Sequence, residues 1–454
     1  MITPPAKRSK QHIPDPMNVP ICEADLGEEP DSQDLNNWTF NSNGWKKSDK
    51  WQGFYEACLD DKFENEGVFS IPAKENYLIR DCYSSLGKQV RRLSELRLPV
   101  LIVGQPGTGK TVALYFLLGH ALSHYKSQPS VLVTTTDVYV FYDKLVWEIE
   151  TSRCRSGRLP YPSGADVFCQ VFVDWDGPRM ISEIFLHIAY TIVQATSSNP
   201  RNFAWRKQVI ATGIALPHWR KGEIVNVFSI SRGAKRYLHS LASALSKQDD
   251  QDTSIEAHPA VLLLRKWWEE ARMKKSEQAE VQEGTSGSDD RDLSNGELTD
   301  SDVELVLERE VEKDVKKIQD ELASLPAASD IPLDLAVKIL VTVAMRHVGL
   351  CPRDIYEHIR NPPRPSAVQS LGRLARSVIA ATPLQMLTAK FIIDLTLDSP
   401  VDSVLMATPL LPGRKYVPSN RCVVEPGWVF TLKSAVIREA VTQPARSRDS
   451  SLVE

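Results

Sequence analysis

The chain has 454 residues and a formal net charge of -4, so it is long enough for about two to four domains and carries no overall basic field that would indicate nucleic-acid binding. Its 7 cysteines form no C-x-x-C pair, which argues against a zinc site or a disulfide framework and favours a reducing compartment. No apolar run approaches the ~20 residues that span a bilayer, and the N-terminus lacks the apolar core of a secretory signal, so we expect an intracellular protein of the cytoplasm or nucleus, without membrane partners.

The N-terminal region has two parts. Residues 1–36 are polar and rich in proline, which predicts a disordered arm. After that arm, the apolar spacing from Asn76 to Leu96 predicts one helix that covers a face of a sheet. Between them, aromatic residues supply surface for packing: Trp38, Trp45, Trp51, Phe54 and Tyr55.

The most specific motif lies between a predicted strand and a predicted helix. Leu98–Val103 is a short apolar run, residues 104–111 read Gly-Gln-Pro-Gly-Thr-Gly-Lys-Thr, and Val112–Leu118 is apolar at helical spacing. The middle segment fits the phosphate-binding loop G-x-x-x-x-G-K-[ST] in the context that gives this motif its meaning. The sequence therefore predicts a nucleotide site.

The residue types of this loop match its chemistry. Glycines let successive backbone amides point at phosphate oxygens, and the following helix adds the positive end of its dipole. We expect Lys110 to reach the β- and γ-phosphates of ATP and the Thr111 hydroxyl to bind Mg²⁺. The predicted nucleotide-binding residues are Gly104, Gln105, Pro106, Gly107, Thr108, Gly109, Lys110, Thr111 and Val112.

Further strands are predicted downstream of the loop, at Ser130–Thr135, Val138–Tyr142 and Val167–Val173. The last of these is followed at once by Asp174, the pattern of a Walker B element that orients Mg²⁺. Many ATPases place a glutamate after this aspartate, but Trp175 stands here, so binding is better supported than hydrolysis. Asp176 is a candidate for orienting the attacking water, with a solvated turn residue as the alternative.

One more strand, Ala189–Ala195, runs into the polar segment Thr196-Ser197-Ser198-Asn199. A Ser, Thr or Asn next to the Walker B strand often senses the γ-phosphate, so Ser198 and Asn199 are candidate sensors. A turn or helix-capping cluster before Pro200 is the equally supported alternative.

The second half alternates between helical and low-complexity segments. Residues 259–268 predict a half-buried helix docked on the ATPase core, and residues 278–302 predict a flexible acidic insert. Leu333–His347 and Arg353–Arg360 have helical spacing and predict a bundle near the nucleotide. Three more predictions close this part: strands at 389–397 and 403–407, and a strand running into a helix at 428–440.

Together these residues resemble the P-loop ATPases of the Crinkler and retrotransposon hot spot group. The resemblance rests on residues 98–111, on Val173-Asp174, on Ile192–Pro200 with Trp205-Arg206-Lys207-Gln208, and on the Gly-x-x-Pro-Arg segment from Gly349 to Arg353. It implies that Arg353 takes the position of a lid arginine of AAA and STAND ATPases, near the γ-phosphate; a salt-bridged helix-start residue is the alternative. No nuclease motif follows residue 440, so the DNA cutting associated with that group is not expected.

These inferences predict an α/β fold: a P-loop core with a parallel central sheet and a C-terminal helical lid. The predicted divisions are a disordered arm at 1–36, the ATPase core with an N-terminal extension at 37–245, a linker helix and acidic insert at 246–303, a lid-like domain with a small β element at 304–440, and a disordered tail at 441–454. The expected activity is slow MgATP hydrolysis that moves the lid. A nucleotide-gated binding module without turnover and, more weakly, a small-molecule kinase remain alternatives. The expected partners are nucleotide, a protein that the sequence does not identify, and a second copy of the chain.

Overall fold

The computed structural model describes residues 44–65, 67–72, 76–105, 107–154, 168–174, 190–196, 211–230, 232–246, 259–281, 313–361, 405–411, 415–416, 422–424 and 427–432. The strands are β1 Lys46–Lys47, β2 Glu64–Asn65, β3 Val68–Ser70, β4 Asn76–Leu78, β5 Val100–Val103, β6 Ser130–Val133, β7 Asp137–Tyr142, β8 Leu145–Glu150, β9 Cys169–Asp174, β10 Tyr190–Ala195, β11 Thr212–Ala215, β12 Leu405–Leu411, β13 Lys415–Tyr416, β14 Val423–Val424 and β15 Gly427–Leu432. The helices are α1 Asp49–Leu59, α2 Asp81–Glu95, α3 Lys110–His124, α4 Lys221–Ile230, α5 Arg232–Ser246, α6 Pro259–Val281, α7 313–323, α8 Leu333–Val348 and α9 Pro352–Arg360.

The protein has α/β architecture built on a large mixed sheet. Its nine strands run in the order β1-β8-β7-β6-β9-β10-β5-β11-β14. The five strands β6, β9, β10, β5 and β11 are mutually parallel, and each outer flank is antiparallel. Strands β5, β6 and β9 are almost continuously apolar and buried, as expected for parallel strands covered on both faces.

The antiparallel flank follows from a tight hairpin. Asp143 and Lys144 join β7 to β8, and both have positive φ, 48° and 61°. Two such residues in succession fit the two-residue turn whose twist matches that of paired strands. Strand β7 pairs with β6 on one side and with β8 on the other, so this hairpin extends the parallel sheet without a crossover helix.

Two clusters of buried apolar residues are defined within the described ranges. One contains α1, α2 and α3 packed on the sheet, with Trp51, Tyr55 and Phe141 among its aromatic members. The other joins α4 through α9, and we call these six helices the helical unit. Trp219, just before α4, belongs to this second cluster, so the segment after β11 connects the two.

Several predicted boundaries differ from the structure. Asn76–Leu78 is not the start of a helix but strand β4, which pairs with β3; the helix begins at Asp81. Helix α6 packs with α4 and α5 in the helical unit, and α5 runs to Ser246. Val423–Val424 adds to the edge of the main sheet beside β11. The predicted strand at 389–397 and the helix after Leu432 lie outside the described residues.

Candidate functional site at the carboxyl edge of the sheet

The glycine-rich loop lies where β5 ends and α3 begins. Val103 is the last residue of β5, and α3 starts at Lys110 with Gly109 as its N-cap. Gly107 and Gly109 have φ of 80° and 88°, in the left-handed region that favours glycine. The backbone turns from strand to helix within six residues, which exposes the first amides of α3 at the carboxyl edge of the sheet. Pro106 lies outside the described residues.

Lys110 folds back over this loop. Its Nζ donates to the carbonyl oxygens of Gly104 and Gln105, each at 2.8 Å. The Thr108 hydroxyl also donates to the Gln105 carbonyl at 2.8 Å. The two bonds from Nζ hold the ammonium against the backbone of the loop. The predicted residue Val112, by contrast, is half-buried and packs against the sheet core.

Asp174 is the second element of the site. Strand β10 lies between β5 and β9, and its register pairs Ala195 with both Ile102 and Asp174, so the carboxyl ends of the three strands meet at one edge. Asp174 Oδ1 accepts from the Thr111 hydroxyl at 3.1 Å, although 63 residues separate them. The structure therefore brings together two residues that the sequence assigns to metal binding.

Tyr115 fixes the other oxygen of the same carboxylate. Its hydroxyl donates to Asp174 Oδ2 at 2.8 Å. Thr111 and Tyr115 are four residues apart on α3 and therefore share one face of the helix. Burial, and then the charge of Asp174, raises the pKa of Tyr115, so its hydroxyl stays a protonated donor at neutral pH.

A buried arginine, Arg80, is hydrogen-bonded to the backbone of the glycine-rich loop. Arg80 Nη1 donates to the Thr108 and Pro217 carbonyls at 2.9 and 3.2 Å, and Nη2 donates to the His218 carbonyl at 2.7 Å. Its guanidinium is fully buried and pairs with the Glu223 carboxylate, Nη2 to Oε2, at 3.2 Å. Arg80 thus connects the start of α2, the loop and the start of α4.

Two aromatic residues hold the glycines of the loop. Trp219 Nε1 donates to the Gly107 carbonyl at 2.9 Å, and the Tyr83 hydroxyl donates to the Gly109 carbonyl at 3.2 Å. The Arg80 guanidinium stacks on the Trp219 ring, 4.4 Å from its centroid. A side chain at position 109 would press on both aromatic residues, within about 3.2 Å of each.

The helical unit reaches the loop through the bend between α8 and α9. Gly349 ends α8 with φ 79°, Cys351 caps α9, and the two helices meet at 110°. A Cβ added to Gly107 would collide with the Cys351 sulfur. Arg353 lies two residues further on, in the first turn of α9, and its side chain is exposed. Cys351 was not anticipated from the sequence, because nothing near it in the chain indicates contact with residue 107.

The remaining predicted site residues cannot be placed. Three of these residues lie outside the described residues: Asp176, Ser198 and Asn199. The same holds for the whole of residues 175–189, after β9, and of residues 197–210, after β10. Thr196 itself is buried, and its amide donates to the Ile102 carbonyl at 3.2 Å. The roles assigned to Asp176, Ser198 and Asn199 therefore stay predictions.

The described side chains are compatible with magnesium held by few protein ligands. Mg²⁺ usually takes one or two protein oxygens and completes its octahedron with phosphate oxygens and water. Thr111 and Asp174 offer a hydroxyl and a carboxylate at hydrogen-bond distance from each other. Within the described ranges, no group of three or more His, Cys, Asp or Glu side chains could form a cage for a metal alone.

Comparison of the chain with protein-family models, curated proteins and solved structures gives no match. Among the helices that the structure describes, none is by itself long and apolar enough to cross a membrane. Among the described helix pairs, only α8 and α9 taken together satisfy that length and composition, and they are bent sharply against each other.

Proposed function

We propose that this chain is a MgATP-binding P-loop ATPase, similar to the Crinkler and retrotransposon hot spot group, in which nucleotide moves the helical unit relative to the sheet. The observation that carries the proposal is the pairing of Thr111 with Asp174 at the carboxyl edge of parallel strands, directly beside the glycine-rich loop. Ligands of open α/β sheets bind in the crevice at this edge. ATP is preferred over GTP because the sequence has no Asn-Lys-x-Asp motif for guanine.

Each residue has a role in this proposal. The loop amides and the N-terminus of α3 bind the phosphates, and Lys110 exchanges its two carbonyl acceptors for β- and γ-phosphate oxygens. Thr111 and Asp174 hold magnesium, directly or through water, while Tyr115 keeps the carboxylate oriented. Magnesium, when bound, neutralises charge on the phosphate oxygens.

Movement of the helical unit is supported by its contacts with the loop. Cys351 packs on Gly107 and Trp219 bonds to the same residue, so a change in loop conformation acts on both segments. Arg353 follows Cys351 in the first turn of α9, where an exposed guanidinium is free to approach a phosphate when the unit shifts. Such closure of a lid over a ligand is a common switching motion.

Hydrolysis is the second step of the proposal, with Asp176 orienting the water. Trp175 in place of the usual glutamate favours the alternative, a binding module that holds ATP without turnover. Phosphate release from wild type, Lys110→Ala and Asp176→Asn separates the two. Slow release that falls at least ~10-fold in both variants supports an ATPase. Equal background rates, with ATP binding lost only in Lys110→Ala, support the binding module instead.

A further inference from the structure

A groove of about 440 Å³ lies between α2 and α3, and its lining includes none of Lys110, Thr111 and Asp174. Phe116 and Phe172 are among its apolar walls, and Gln170 of β9 forms part of its floor. Its size falls in the range of small-molecule sites, which are mostly apolar with a few placed polar groups. None of the roles proposed above uses this space.

Two of the residues that line the groove have a buried polar atom without a hydrogen-bond partner among the described residues. Gln170 is 3% exposed, and its Oε1 has no hydrogen-bond partner among the described residues. Tyr125 also lines the groove, and its hydroxyl is buried without a hydrogen-bond partner among the described residues. A buried polar atom without a partner costs about 1–3 kcal/mol, so such atoms commonly mark a place where another molecule completes the bonding.

The charges at the rim are unbalanced. Glu64 and Asp81 line the groove, but each is paired: Glu64 with His120 at 2.8 Å, and Asp81 with Arg220 at 2.7 Å. Lys88 and Arg91 line it too, one turn apart on the exposed side of α2, with no carboxylate in ion-pair distance among the residues described. The rim therefore favours an anion.

Helix α2 leaves room for an occupant at Gly87. This glycine lies in the middle of the helix and lines the groove, and a Cβ added there would meet no atom within 4 Å. Glycine inside a helix costs about 1 kcal/mol relative to alanine. Packing does not require glycine at this position, and the missing side chain leaves this part of the groove open.

We propose that the groove between α2 and α3 binds a small amphipathic anion, with an apolar body against the wall that includes Phe116 and Phe172 and an acidic group at Lys88 and Arg91. Tyr83 lines the same groove while its hydroxyl bonds to the Gly109 carbonyl. The occupant therefore contacts a residue that holds the glycine-rich loop. Binding itself does not depend on the function proposed for that loop.

The probe for this site is 8-anilinonaphthalene-1-sulfonate, an aromatic anion with an N–H donor whose fluorescence rises in apolar surroundings. Wild type should bind one equivalent saturably. Gly87→Leu, which fills the groove, and Arg91→Glu, which reverses its rim charge, should each weaken binding at least ~10-fold. Both substitutions leave buried packing unchanged, because position 87 has open space and Arg91 is exposed.

Two matched variants control for helix and charge effects. Gly53→Leu changes an exposed mid-helix glycine of α1 that also has open space around it, and Arg92→Glu makes the same charge change one residue outside the groove. Both should bind the probe within ~2-fold of wild type. Absence of saturable binding to wild type, or equal affinity in all five proteins, would overturn the proposal.

Discussion

Replacing Glu223 by glutamine should destabilise the protein far more than a single lost charge on its surface. The carboxylate accepts four hydrogen bonds: from Arg80 Nε and Nη2, each at 3.2 Å, from the Arg220 amide at 2.9 Å and from the Asp81 amide at 3.3 Å. The side chains of Arg80 and Glu223 are 0% and 7% exposed. Neutralising one partner leaves a buried guanidinium without its counter-charge.

Breaking a buried pair in this way costs roughly 3–5 kcal/mol. Three backbone carbonyls also accept from Arg80 and still compensate part of its charge, so we expect the lower end, about 3 kcal/mol. Urea unfolding monitored by fluorescence gives this quantity, provided the dependence on urea concentration keeps the same slope in both proteins.

The matched control is Asp81→Asn, which removes the neighbouring pair of Asp81 with Arg220. Those side chains are 57% and 39% exposed, so the loss should stay below about 1 kcal/mol. If Glu223→Gln is no less stable than Asp81→Asn, the buried pair does not hold the loop as described.

Three other substitutions test separate parts of the account. Tyr115→Phe removes one hydrogen bond to the Asp174 carboxylate, so MgATP affinity measured by calorimetry should fall several-fold, or about 1 kcal/mol. An unchanged affinity would show that Tyr115 does not position Asp174. Gly107→Ala should lower the free energy of unfolding by at least about 1–2 kcal/mol, because its φ of 80° disfavours a side chain. Adding Cys351→Gly to that variant should restore the part of the loss that comes from the clash between the new Cβ and the Cys351 sulfur. Strictly additive effects of the two substitutions would exclude that contact. Burial, and then the charge of His347, lowers the pKa of His358 from 6.5 to about 4. The unfolded chain therefore takes up this proton first, and the free energy of unfolding of wild type should fall by up to about 3 kcal/mol as the pH drops from 6.5 to 4. A fall of the same size in His358→Asn would show that His358 is not its cause.

The parts of the site that were predictable are encoded locally. The loop from Gly104 to Thr111 and the strand that ends at Asp174 each show a recognisable motif within about eight consecutive residues. Their meeting at one edge follows from parallel strands, which the apolar runs already indicated. The α/β character was accessible for the same reason.

The supports of the loop were not predictable, because each comes from a distant part of the chain. Arg80 and Glu223 are 143 residues apart, and Trp219 lies 112 residues from Gly107. A lone arginine or tryptophan has no local pattern that indicates its partner. The short strands β11 and β14 were also not predicted, because two to four residues are too few to show a periodic pattern. Their positions depend on pairing, of β11 with β5 and of β14 with β11.

The central claim is most directly tested by titrating the full chain with ATP and magnesium in a calorimeter, beside Lys110→Ala and Asp174→Asn. Wild type should bind one equivalent, Lys110→Ala should bind at least ~10-fold more weakly, and Asp174→Asn should lose chiefly the dependence on magnesium. No binding heat and no rise in melting temperature with wild type at saturating MgATP, or equal binding by all three proteins, would contradict the account.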